Sequence, residues 1–216
     1  HSVFGTRDFA NDLVDLQWMR GGSAYTILDD SAGQTNLYRV DAAAGTRTVL
    51  VRGEDLIPAG ARDPIDIESY QFSKDETRLL IFTNSARVWR QRTKGTFYVW
   101  DFTAKRLLPV STKPGFQMFA KLSPDGRLAG FVRDNNIFVT DLATGAETQL
   151  TTDGGENVIN GTTDWAYEEE LDLRDAFRWS PDGQRIAFWR LDQTAVRPFY
   201  LINADSLYPV LVPVRY

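Results

Sequence analysis

Short runs of aliphatic and aromatic residues recur along the chain, with turn-forming residues between them. Three stretches share one template: Phe72-Ser73-Lys74-Asp75-Glu76-Thr77-Arg78-Leu79-Leu80-Ile81-Phe82, Leu122-Ser123-Pro124-Asp125-Gly126-Arg127-Leu128-Ala129-Gly130-Phe131 and Trp179-Ser180-Pro181-Asp182-Gly183-Gln184-Arg185-Ile186-Ala187-Phe188. Trp18-Met19-Arg20-Gly21-Gly22-Ser23-Ala24-Tyr25-Thr26-Ile27-Leu28 is a looser fourth. The copies lie roughly 50 residues apart, a period that belongs to repeat architectures. Each predicts a strand, a tight turn and a second strand. Ser-Pro-Asp-Gly places proline where a turn fixes φ and glycine where φ turns positive. The flanks carry the β-branched and aromatic residues that strands favour.

A second element follows each hairpin: Leu37-Tyr38-Arg39-Val40-Asp41, Phe97-Tyr98-Val99-Trp100-Asp101 and Ile137-Phe138-Val139-Thr140-Asp141. A further short strand comes next, as in Thr48-Val49-Leu50-Val51, Arg106-Leu107-Leu108 and Glu147-Thr148-Gln149-Leu150. Four strands per unit make a propeller blade. The fold predicted is all-β, a β-propeller with units near 16–51, 70–110, 119–151 and 177–216, interrupted by insertions at 84–96 and 157–176. Propellers close with roughly 4–8 blades. Three to four blades are therefore expected to form an incomplete portion of a larger ring, with a closed four-bladed ring as the alternative. Architecture alone assigns no activity.

Composition narrows the function classes. The chain is 43% hydrophobic and 25% charged, an ordinary globular balance. Its formal charge of −5 argues against binding a nucleic-acid backbone, which needs a basic face. There is no cysteine, hence no disulfide framework and no thiolate metal site, which fits either redox compartment. No apolar run approaches the ~20 residues of a membrane-spanning helix. No signal peptide is legible, and His1 reads as a processed start or as an edge. Gly-x-Ser-x-Gly is absent and His1 is the only histidine, so no catalytic residue is expected here.

The two insertions carry the candidate chemistry. The first, Arg87-Val88-Trp89-Arg90-Gln91-Arg92-Thr93-Lys94, adds about ten residues to the connection that the third unit makes directly. Its bases fit a binding loop and equally a solvated long hairpin. The second runs Asn160-Gly161-Thr162-Thr163-Asp164-Trp165-Ala166-Tyr167-Glu168-Glu169-Glu170-Leu171-Asp172-Leu173-Arg174-Asp175. Thr163 or Asp164 is placed to cap a short helix with glutamates in its first turns. A solvated helix start is the plain reading. Against it, three adjacent carboxylates repel one another, and Trp165 and Tyr167 are large residues to leave exposed. Aromatics beside carboxylates suit a partly buried cation site. The spacing is not that of a calcium loop, and no metal or cofactor is expected.

Asp164-Trp165-Ala166-Tyr167-Glu168-Glu169-Glu170 resembles the Asp-Trp-x-Tyr-Glu-Glu-Glu signature of the dipeptidyl peptidase IV family, within the prolyl oligopeptidase clan. Trp89-Arg90 matches a Trp-Arg pair on an earlier blade of that family, and Asp192-Gln193-Thr194-Ala195-Val196 matches its Asp-x-Thr-x-Val stretch. The resemblance is best from about Ile67 onward, and Asp75-Glu76-Thr77 departs from Pro-Asp-Gly only in the turn. It implies an eight-bladed propeller with a downstream α/β-hydrolase domain that carries the catalytic triad. It implies that Glu169 and Glu170 bind the substrate's free α-amine and that Arg90 binds a backbone carbonyl. Glu168 is then structural, with Asp164, Trp165, Tyr167 and Trp89 in support. The implied substrate is a peptide with a free N-terminus and proline, or alanine, in second place. A homodimer and a bacterial periplasmic or secreted location follow from the same resemblance. A tripeptidyl peptidase with the same clamp stays open, as does a catalytically inactive relative that acts as a protein-interaction module.

Overall fold

Antiparallel pairing buries the alternating apolar positions of the repeats on shared sheet faces. The computed structural model describes residues 16–30, 34–205 and 207–215. His1, set aside above as a triad base, and Tyr216, the end of the last expected unit, lie outside the described residues.

The chain divides into two compact units, His1–Ile67 and Glu68–Tyr216. In the first, β1 (Leu16–Trp18), β2 (Ala24–Asp29), β3 (Asn36–Asp41) and β4 (Arg47–Val51) form a four-stranded meander in chain order. Ile27, Leu37, Val40 and Val51 are buried in this unit.

In the second unit, β5 (Ser69–Phe72), β6 (Arg78–Val88), β7 (Gln91–Asp101) and β8 (Arg106–Pro109) make one blade-like meander. A second is made by β9 (Gln117–Leu122), β10 (Leu128–Arg133), β11 (Asn136–Asp141) and β12 (Glu147–Gln149). The insertion at 84–96 takes the form of a long hairpin, one of the two forms its sequence fits: it lengthens β6 and β7. The extra length lets Lys94 and Gly95 of β7 pair with Met118 and Gln117 of β9, which joins the two meanders into one eight-stranded sheet. Gly95 is required there, since a Cβ on it would lie 2.5 Å from the Phe82 ring.

Both faces of β10 are covered. Ala129 and Phe131 pack with Leu80, Phe97, Val99 and Phe138, while Val132 packs with Ile137 and Phe177.

Beyond β12 the regular pattern changes. β13 (Val158–Asn160) and helix α1 (Trp165–Leu171) precede β14 (Phe177–Trp179), β15 (Ile186–Phe188) and β16 (Arg190–Asp192). The hairpin of β17 (Phe199–Asn203) and β18 (Val210–Val214) follows. The stretch 177–216, where a fourth unit is expected to begin, is divided among three two-stranded sheets: β14 with β15, β16 with β13, and β17 with β18. The physical reason lies at Trp189, whose N–H donates to Ala176 O and whose carbonyl accepts from Gly161 N–H. The Gly161 bond carries on into the pairing of β16 with the inserted strand β13, while the Ala176 bond keeps Trp189 beside the start of β14. Among the described residues no helix is long and apolar enough to cross a membrane.

Candidate functional site

The two insertions converge on one place in the second unit. Val88 pairs with Gln91, so Trp89 and Arg90 are the two loop residues at the tip of the β6–β7 hairpin. Trp89 holds φ at +53°, in the left-handed region. Two-residue hairpins demand positive φ at this position and normally use glycine, so a tryptophan here stores strain of about 1–2 kcal/mol.

Helix α1 starts where its capping residue dictates. Asp164 is extended, and its Oδ1 accepts the Tyr167 N–H at 2.9 Å. Its other oxygen accepts from Gln193 Nε2 at 2.9 Å, which fastens the helix start to the turn after β16. The Tyr167 ring meets Trp189 edge-on at 5.5 Å. The helix ends at Asp172, left-handed with φ 52°, whose N–H and that of Leu173 both donate to Tyr167 O.

Successive helical residues point about 100° apart, so the three glutamates face different ways. Glu168 turns inward and is only 6% exposed, with Arg174 Nε 3.3 Å from its Oε1. Glu169 is half-buried and faces Arg90 Nη1 at 3.4 Å, with the Arg90 side chain 78% exposed. Glu170 is exposed. The hairpin tip and the acidic helix, far apart in sequence, are thereby brought together. Beside them is a cavity of about 280 Å³ lined in part by Trp89, Met118, Asp164, Trp165, Glu168 and Gln193. Its described lining includes neither Glu169 nor Glu170.

Several participants carry no local signal in the sequence. Arg174 pairs with Glu168 and also with Asp172 at 2.6 Å. Lys121 bonds Asp175 and lies 3.6 Å over the Phe177 ring. Burial takes its pKa down to about 8, against the pull of the Asp175 carboxylate. A basic residue closing an acidic run was the one available hint of Arg174. Among the described residues no group of three or more His, Cys, Asp or Glu side chains is placed to hold a metal ion.

A family model for the dipeptidyl peptidase IV N-terminal region matches residues 73–216. Dipeptidyl aminopeptidase B of Saccharomyces cerevisiae is 29% identical over 229 residues, covering 100% of this chain and 27% of that protein. A probable dipeptidyl peptidase 4 of Aspergillus fumigatus is 36% identical over 172 residues, covering 76% of this chain and 22% of the relative. The crystal structure of Porphyromonas gingivalis dipeptidyl peptidase 4 matches with a TM-score of 0.80 at 32% identity, over 94% of this chain and 29% of that one. The chain thus spans between a fifth and a third of the length of these relatives.

Proposed function

The chain belongs to the dipeptidyl peptidase IV family through its N-terminal region, and from that premise we propose that it is the substrate-gripping propeller portion of a serine dipeptidyl peptidase. Glu169 and Glu170 hold the free α-ammonium of a peptide, and Arg90 holds a backbone carbonyl. A downstream α/β-hydrolase domain supplies the nucleophile, its base and its orienting aspartate. The product is an N-terminal dipeptide ending in proline or alanine.

One observation carries this reading: the 3.4 Å approach of Arg90 to the half-buried Glu169. It sets a cationic donor fork and a carboxylate side by side at the end of a strained hairpin. A peptide α-amine has a pKa of about 7.7–8.0 and is mostly cationic near neutrality. Two carboxylates around it make charge-assisted hydrogen bonds and raise that pKa further. The Arg90–Glu169 pair does not block this, because the Arg90 side chain is 78% exposed and a solvent-facing partner holds a carboxylate only weakly. An arriving ammonium can share or take Glu169, and the freed guanidinium can then serve the carbonyl. Fixing the amino end sets how many residues reach the nucleophile.

Homodimerisation of the full-length protein belongs to the same proposal. The β17–β18 hairpin offers a surface for it, with Phe199, Tyr200, Leu201, Ile202 and Leu211 exposed. So does a periplasmic or secreted location, which rests on the family alone.

The test is cleavage of Gly-Pro-p-nitroanilide and of its N-acetylated form by the product of the complete reading frame, wild type and Glu169→Gln. We expect free-amine cleavage only, and a fall of about two to four decades in kcat/KM for the variant, the scale of leaving a desolvated charge partner unmatched. Equal cleavage of both substrates sinks the amine clamp. No cleavage of either shifts the reading to tripeptide release or to an inactive interaction module.

A further inference from the structure

We propose that Arg174 is a positioning residue for the amine site: by holding Glu168 inward, it sets the rotation of α1 that presents Glu169 and Glu170. The inference rests on the amine-clamp reading and extends it to a residue that touches no substrate. A seven-residue helix is too short to hold itself in water, so its orientation must come from tertiary contacts. Asp164 fixes the start through Gln193. Past the C-terminus, the Thr162 and Thr163 hydroxyls donate to the carbonyls of Arg174 and Leu173. The backbone of Arg174 is therefore tied to the residues ahead of the helix, while its side chain reaches back to the middle of it.

Glu168 is the buried member of the triplet. A buried carboxylate without a counter-charge must take up a proton or swing toward water. A swing outward on so short a helix turns Glu169 away from Arg90 and carries Glu170 with it. The contact is ionic and not a directed hydrogen bond: Glu168 Oε1 and Arg174 Nε are both buried and neither makes a hydrogen bond. A point charge should therefore do in its place, which separates lysine from neutral replacements at position 174.

The experiment measures kcat, KM and melting temperature with Gly-Pro-p-nitroanilide for the product of the complete reading frame. The variants are R174Q, R174K, E168Q and R174Q/E168Q, with E169Q alongside. We expect R174Q to raise KM about 10- to 100-fold with kcat within about threefold of wild type, and R174K to stay within about threefold in both. Adding R174Q to E168Q should change KM less than about threefold, because the charge that Arg174 answers is already gone. Unchanged KM in R174Q, equal loss in R174K and R174Q, or multiplying effects in the double variant each overturn the inference. If R174Q does not fold, R174Q/E168Q decides: recovery of a folded enzyme that binds like E168Q supports the coupling, and failure to recover one overturns it. A large rise of KM in E169Q beside a wild-type KM in R174Q sinks this inference alone. Indifference of the wild type to N-acetylation sinks the amine clamp instead.

Discussion

The repeated turns and the Asp164–Asp175 segment differ in how far their carboxylates reach. In each turn the acid is answered within a few residues. Ser73, Ser123 and Ser180 donate to Asp75, Asp125 and Asp182, which also accept N–H groups two residues further on. Asp41, Asp101 and Asp141 likewise each accept two N–H groups just ahead of them. In the inserted segment Asp164 and Asp172 also have near partners, in the Tyr167 N–H and Arg174, but three acids reach across the fold: Glu169 to Arg90, Asp164 to Gln193 and Asp175 to Lys121. A carboxylate satisfied locally stabilises one turn and can be copied from blade to blade. A carboxylate satisfied at long range depends on the assembled fold, and a competing cation can take it over. The difference separates framework from site, and it predicts that framework changes cost stability while site changes cost binding.

The strongest way to break that division is a large cavity in the framework. Phe131 is fully buried and stacks on Phe138 with ring centroids 5.6 Å apart. Phe131→Ala should cost about 3–5 kcal/mol in denaturant titrations. The molecules that stay folded should keep the wild-type KM for a free-amine substrate. A KM that rises in step with the lost stability would show that site and framework are one unit. A smaller and pH-dependent effect is expected at Asp101, which accepts from Thr103, Ala104 and Arg78. Desolvation raises its pKa, but the Ala104 N–H and the Arg78 guanidinium outweigh that and hold it below the ordinary 3.8. Its contribution is therefore present above the unfolded pKa and is lost as pH falls through the folded one. Asp101→Ala should cost about 2 kcal/mol at neutral pH, and the variant and wild-type stabilities should converge as pH is taken well below 3.8. A constant gap down to that pH would show that the ionised carboxylate is not what the turn uses.

The same contrast explains what could be read from the sequence. The hairpins were legible because their causes are local: period-two burial, and a serine and an aspartate that close the turn on their own backbone. The division of 177–216 was not, because β16 chooses β13 from a segment outside the repeat, and strand choice of that kind leaves no local pattern. The acidic motif was visible as a run of residues. The run itself does not say which of its glutamates turns inward; the family resemblance set Glu168 apart as structural, and in the fold Arg174 on one side and Arg90 on the other sort Glu168 from Glu169. Nothing in the composition of the hairpin tip requires Trp89 to be left-handed; the two-residue loop between Val88 and Gln91 imposes it.

The finest test compares the turns with one another. Ser73–Arg78 closes with the same bonds as Ser123–Leu128 and Ser180–Arg185, yet it carries Glu76 at φ 58° where the others place Gly126 at 71° and Gly183 at 69°. A Cβ in the left-handed region costs about 1–2 kcal/mol, and glycine gives back part of that gain through a freer unfolded chain. Glu76→Gly should therefore stabilise the protein by about 0.5–1 kcal/mol, seen as a higher denaturation midpoint at unchanged slope. Gly126→Ala should move the midpoint the other way by a similar amount. Its Cβ would meet nothing closer than Ser73 Cβ at 3.7 Å, so backbone conformation alone sets the sign. Were Glu76→Gly to destabilise, the interaction that Glu76 makes would outweigh the relief of its backbone conformation. The second hairpin would then belong with the long-range segment and not with the locally satisfied repeats.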